Sequence, residues 1–450
     1  MDSHASSGST LISGLDPDVR QRLAEALSKM VPEWMAEPAA DWKRVPRPTG
    51  VGSYSVNIEP YQGIQSWIAF RKKHANSKEL TALDQVLRQR QPELLGYVQH
   101  ASGSQRIQDC FALLACFSRE VAVRMSGSIS TDNAISSVLG ELDGLLKTQV
   151  GVREVLTVLN GLKLPDKVER VALGNDLYIR RLTAEEIADF GSNDISSETR
   201  FDITSKFVTA AIVSETPVSI RLTPVHELWT PDWSVTQLHQ TKIDNVMAAI
   251  HMLKSGRVGI LASFDTIRPA ILPNMSGHSS APLVVNPFSF MELSEEEVGR
   301  LVTLYKSLSG ARRDELSIAA ARLLDAESRL SPVDALLDAV IGLEALLNPN
   351  DRSELSFRVA LNYAYLAKEP ERRERYENVR DIQVTRNRVV HGGLNLQSRD
   401  ASRIHEHCEL AKSCLRDATV RFVTDSSLMG QRRLDADFWL DRVLPPRTGE

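Results

Sequence analysis

The chain has 450 residues, 42% of them apolar and 25% charged, with a net charge of −5. That length exceeds one ordinary domain and suggests two or three, at roughly 150 residues each. The composition excludes an unfolded chain, and the absence of a basic surplus leaves room only for a local nucleic-acid patch.

Further classes fall away in turn. The longest apolar runs, such as 110–117, hold about eight residues, whereas a membrane-spanning helix needs roughly 20. Residues 1–10 are rich in Ser and Gly and have no basic start followed by an apolar core, so a flexible tail over 1–14 is expected in place of a secretion signal. Four cysteines do not make a disulfide framework, and a reducing cytoplasm is the expected compartment.

Residues 15–148 are expected to be helical. Leu80, Leu83, Val86 and Leu87 share one face, as do Ile107, Cys110, Leu113, Leu114, Phe117 and Val121, then Ile135, Val138, Leu139, Leu142 and Leu145. Residues 149–290 change character and read as a mixed α+β domain. Strands are expected over 152–159, 207–213 and 258–264, with a hairpin over 171–180 around Gly174-Asn175-Asp176. A helix is expected over 237–253, and the breaker-rich stretch 273–287 reads as a linker or long loop.

Helices return over 291–424. Ser331-Pro332 is a helix start, and Val333, Leu336, Leu337, Val340, Ile341, Leu343 and Leu347 form its apolar face. Asn348-Pro349-Asn350 stops it, and Asp351-Arg352-Ser353-Glu354 opens the next helix as a capping-box variant. A long helix over 371–391 ends at Gly392-Gly393, and a last one covers 399–422. Residues 425–450 are expected to form a polar tail. The fold class is therefore mainly α with an α+β middle region.

Most chemical motifs are missing from the sequence: it has no phosphate-binding Gly-rich loop, no dinucleotide fingerprint and no nucleophile elbow. Cys110 and Cys116, like Cys408 and Cys414, lie six apart, which matches no zinc pattern. In His405-Glu406-His407-Cys408-Glu409 only His405 with Cys408 or Glu409 shares a helix face, and two ligands do not make a metal site. No carboxylate cluster fit to hold two Mg²⁺ ions is evident either.

The run Arg386-Asn387-Arg388-Val389-Val390-His391-Gly392-Gly393 stands apart. Val379, Ile382, Arg386 and Val389 fall on one helical stripe, so a guanidinium occupies an apolar position, which is costly unless it is paired or faces a cleft. Asn387 and His391 stack four apart. Arg386 and His391 are about 140° apart on an ideal helix, so they converge within one chain only if the helix frays. On spacing alone the same residues also fit a salt-bridged arginine and a histidine that caps the helix.

This arginine, a polar residue and a histidine at a helix end resemble the signature of the HEPN superfamily. The stretches 336–347 and 354–360, with Val389-Val390-His391-Gly392-Gly393, are similar to its Apea-like branch over about 294–424. The resemblance implies a C-terminal HEPN-like helical bundle over 291–424 that forms a homodimer, with the motifs of two copies facing each other. It implies a metal-independent endoribonuclease needing no cofactor, with RNA as substrate. His391 would be general acid/base, Arg386 the stabiliser of the phosphate and transition state, and Asn387 an orienting group. Arg388 and Arg380 are weaker candidates for RNA contacts, and Arg358 and Glu344 for structural support, unless they are simply an ion pair. The implied setting is anti-phage defence or abortive infection in the cytoplasm, without a membrane partner. Residues 1–290 would sense a phage-derived or small-molecule trigger or restrain the nuclease. Two alternatives stay open: a non-catalytic HEPN module that binds nucleotides or a partner, and a regulatory protein whose C-terminal region only dimerises.

Overall fold

The computed structural model describes residues 14–35, 42–50, 53–60, 73–74, 77–100, 103–107, 109–125, 129–183, 208–224, 233–269, 271–272, 276–280, 290–310, 314–347, 355–392, 400–425 and 428. The architecture is mainly α with an α+β middle region. Residues 1–13, 348–354 and 429–450 lie outside the described set, and with them the expected capping box and most of both tails.

The N-terminal region holds α1 (Pro17–Met35), α2 (Lys78–Arg90), α3 (Cys110–Met125) and α4 (Thr131–Thr148). Leu23, Leu27, Leu83, Leu87, Leu113, Phe117 and Leu142 meet in one apolar core, as their helical spacing requires. The stretch expected to be wholly helical also carries two antiparallel hairpins. The first pairs β1 (Trp42–Gly50) with β2 (Ser53–Pro60), and the second pairs β3 (Tyr97–His100) with β4 (Gly103–Arg106). β2 alternates Tyr54, Val56 and Ile58 with polar residues, a strand signal that the helical reading passed over, whereas β1, β3 and β4 carry no such period. Gln91 and Pro92 end α2 and turn the chain into the second hairpin.

The middle region is built on a six-stranded antiparallel sheet of β5 (Val150–Asn160), β7 (Arg170–Ala172), β8 (Leu177–Arg181), β9 (Val208–Ser219), β11 (Gly259–Arg268) and β12 (Ser276–Ser280). Its order is β12-β11-β5-β9-β8-β7. The expected hairpin is the β7–β8 pair. Most of β5 is buried on both faces, which is why it reads as an apolar run without alternation. The stretch expected as a loop contains β12, an edge strand held by backbone pairing to β11. Its Ser-Gly-His-Ser-Ser sequence carries no apolar signal. Two short strands, β6 (Leu162–Lys163) and β13 (Met291–Glu292), pair in parallel, and β10 (Arg221–Thr223) joins β3.

Helix α5 (Trp233–Leu253) packs Ile243, Val246, Met247 and Ile250 against the sheet residues Leu159, Ile179, Ala210 and Ile212. The same core continues without a break into α6 (Glu295–Gly310), α7 (Asp314–Ser328), α8 (Pro332–Leu347), α9 (Leu355–Tyr365), α10 (Arg372–Val390) and α11 (Asp400–Thr424). Ser331 Oγ accepts the Asp334 N–H and caps α8. Leu428, in the stretch expected as a tail, is buried in this core. Among the described residues, no helix is long and apolar enough to cross a membrane.

Candidate functional site at the end of α10

Helix α10 sets its inner face by Val379 and Ile382, both fully buried, with Gln383 and Thr385 beside them. Past Thr385 the burial thins. Arg386, Asn387 and Val389 are half-buried, and Arg388, Val390 and His391 are exposed. The end of the helix therefore overhangs the core.

Arg386 Nη1 donates to Asn387 Oδ1 at 3.1 Å, and its Nε is buried without a partner. The guanidinium thus lies half on the packing stripe, as its spacing implies. His391 is the last residue of the helical winding, and its N–H still donates to the Asn387 carbonyl at 3.0 Å. The chain reverses only afterwards, at Gly392, with φ +70°. The helix does not fray, so Arg386 and His391 keep different directions within one chain. Among the described residues, the imidazole of His391 has no hydrogen-bond partner, and the Asn387 side chain is bonded to Arg386.

Arg380, Val384, Arg388 and His391 recur at helical spacing and are all exposed. They form one stripe along the solvent face of α10. Arg380 lies 3.2 Å from Asp381, an exposed contact. Glu344, on α8, accepts from Gln383 Nε2 at 3.4 Å. Arg358 is exposed on α9.

The start of α10 is fixed by a separate network. Asp417 of α11 takes Arg375, the Tyr363 hydroxyl at 3.3 Å and Arg421 at 3.0 Å. Arg372 Nε and Arg421 Nη1 donate to the carbonyls of Ala367 and Leu366 after α9. The basic run at the start of α10 is thus partly spent on architecture. Sequence reasoning missed this network, as well as Gln383 and Thr385. The available signal was two polar residues on the inner stripe of an otherwise apolar contact.

Among the described residues, no three His, Cys, Asp or Glu side chains group to hold a metal ion. Burial raises the thiol pKa of Cys110 to about 12, and of Cys408 and Cys414 to about 11. No protein-family model matches the chain, and comparison with curated proteins and with solved structures finds no match either.

Proposed function

We propose that the protein is a metal-independent endoribonuclease of the HEPN type, working in the cytoplasm as a homodimer through its C-terminal helices. The observation that carries this reading is the exposed stripe of Arg380, Arg388 and His391 running to the overhanging end of α10. A proton-transfer group and two permanent cations share one accessible face there, while Arg386 stands half-buried on the opposite side of the helix. The 140° between Arg386 and His391 suits a site completed by a second copy, in which the arginine of one protomer meets the histidine of the other.

The chemistry follows from the groups. The RNA 2′-hydroxyl attacks the adjacent phosphorus as its proton passes to a base. The bond to the 5′-oxygen breaks, and that oxygen takes a proton from an acid. The products are a 2′,3′-cyclic phosphate and a free 5′-hydroxyl. A histidine serves as base or acid near neutral pH, and an arginine offsets the charge developing on the phosphorane. Asn387 holds the guanidinium through its amide oxygen. On this reading residues 1–290 sense a phage-derived or small-molecule trigger or restrain cutting, and the setting is anti-phage defence. The Arg386–Asn387 bond also suits a module that binds a nucleotide or partner without cutting, since the amide oxygen is engaged by Arg386 and not by His391.

Incubation of the purified full-length chain with RNA in EDTA separates these readings. Cleavage should persist in the chelator, leave cyclic-phosphate and 5′-hydroxyl ends, and spare all-DNA substrates. His391→Ala should slow it by about 100-fold or more. Cleavage that needs added Mg²⁺, or that His391→Ala leaves intact, contradicts the proposal.

A further inference from the structure

Helix α11 carries the ligand-rich run His405-Glu406-His407-Cys408-Glu409, and the fold takes it apart. His405 is exposed and Cys408 is buried, while His407 turns toward α10. His407 Nδ1 meets the Thr385 hydroxyl at 2.8 Å.

Thr385 is unusual among the helical threonines. Thr81, Thr148, Thr241, Thr303, Thr419 and Thr424 each donate to the carbonyl four residues earlier, which is the local bond a helix offers a hydroxyl. Thr385 pairs instead with a side chain from another helix. It is also the last fully buried position of α10, immediately before Arg386. One turn's edge away, Gln383 reaches Glu344 on α8. The overhanging end of α10 is therefore pinned on two sides just before the candidate site begins. Burial lowers the pKa of His407, with Arg403 adding to the effect. That favours the neutral ring, whose Nδ1, when the ring proton sits on Nε2, accepts a hydrogen bond from the Thr385 hydroxyl.

We propose that His407 is a positioning residue, which fixes the last turns of α10 and so the placement of Arg386 and His391 through its bond to Thr385. The effect on cleavage rests on the endoribonuclease reading, whereas the effect on the helix end does not. The test uses the full-length chain with four variants: His407→Leu, His407→Asn, Thr385→Val and His391→Ala. Asparagine places a polar atom near the position of Nδ1. Amide hydrogen exchange over 386–391 should accelerate at least tenfold in His407→Leu and Thr385→Val. Exchange over 372–380, which the Asp417 network holds, should not change, and His407→Asn should stay near wild type. In RNA cleavage, His407→Leu should lower kcat at least tenfold with KM changed less than about threefold, and His407→Asn should restore most of the rate.

Unchanged exchange over 386–391, or acceleration equal along the whole of α10, overturns the proposal. So does wild-type cleavage by His407→Leu where His391→Ala is inactive. If the wild type leaves RNA intact, the endoribonuclease reading fails, and the exchange result still judges the strut. If His407→Leu does not fold, Thr385→Val carries the same comparison.

Discussion

His251 sits at the end of α5 with no exposed surface, and its Nε2 meets the Val258 carbonyl at 3.2 Å. A carbonyl only accepts, so Nε2 carries the ring proton. Burial is the main reason its pKa falls to about 4 from 6.5, despite the Val258 bond. The unfolded chain therefore takes up this proton as pH falls below 6.5, while the folded chain takes it up only near 4. The stability tied to His251 is complete above 6.5 and is lost as pH drops toward 4. Between pH 7 and pH 5 the expected loss is about 2 kcal/mol from this residue. His251→Gln keeps a donor near the Nε2 position and should flatten that slope, as read by denaturant unfolding at the two pH values. An equally steep slope in the variant would assign the acid sensitivity to other groups. At this scale the sequence made Arg386 and His391 visible, because an arginine on an apolar stripe and a histidine before Gly-Gly break a pattern. It could not show His407 against Thr385. That pair is 22 residues apart, and only the crossing of α10 and α11 brings it together.

Helix α8 crosses α11 at Gly342. A Cβ built there would lie 2.7 Å and 3.0 Å from the two methyl carbons of Leu415, and 3.1 Å from Arg322 Cβ. Leu415 is fully buried and cannot swing into solvent. Gly342→Val should thus cost about 1–3 kcal/mol by overpacking, measured as a lower urea midpoint with an unchanged slope. A neutral or stabilising change would mean that the crossing has room to relax. The helices were largely legible, because each buries one stripe and several carry recognisable ends, such as Ser331-Pro332 before α8 and Gly392 after α10. The strands were legible where both faces are buried, as in β5. They were not legible in β1, β3, β4 or β12, where backbone pairing decides and the side chains carry no period; β2, with Tyr54, Val56 and Ile58 in alternation, did carry one that was passed over.

Over the whole molecule, one core runs from the sheet through α5 into the C-terminal helices. The turn after α5 is also gripped from the C-terminal side. Lys254 reaches the Glu292 carbonyl and lies 3.0 Å from Glu297, and Arg257 donates to the Arg329 carbonyl at 3.4 Å. Arg416 Nε donates to the His251 carbonyl at 2.8 Å and also pairs, with Lys412, to the buried Glu327. Burial raises the pKa of Glu327, and the two cations work against that rise. This junction ties the middle region to α11, the helix that carries His407. The N-terminal helices form a separate core that meets the sheet through Val218, Ile220 and Ile267. The continuity across position 290 was not legible, since a breaker-rich stretch reads as a linker whichever way the flanking elements pack. The central claim is that the exposed end of α10 cuts RNA. It is tested most directly in cells, by expressing wild type and His391→Ala and following growth and RNA integrity with and without phage challenge. The account predicts broken RNA with the wild type alone. Identical RNA and growth under both conditions would contradict it and leave the C-terminal helices as a binding or dimerisation module.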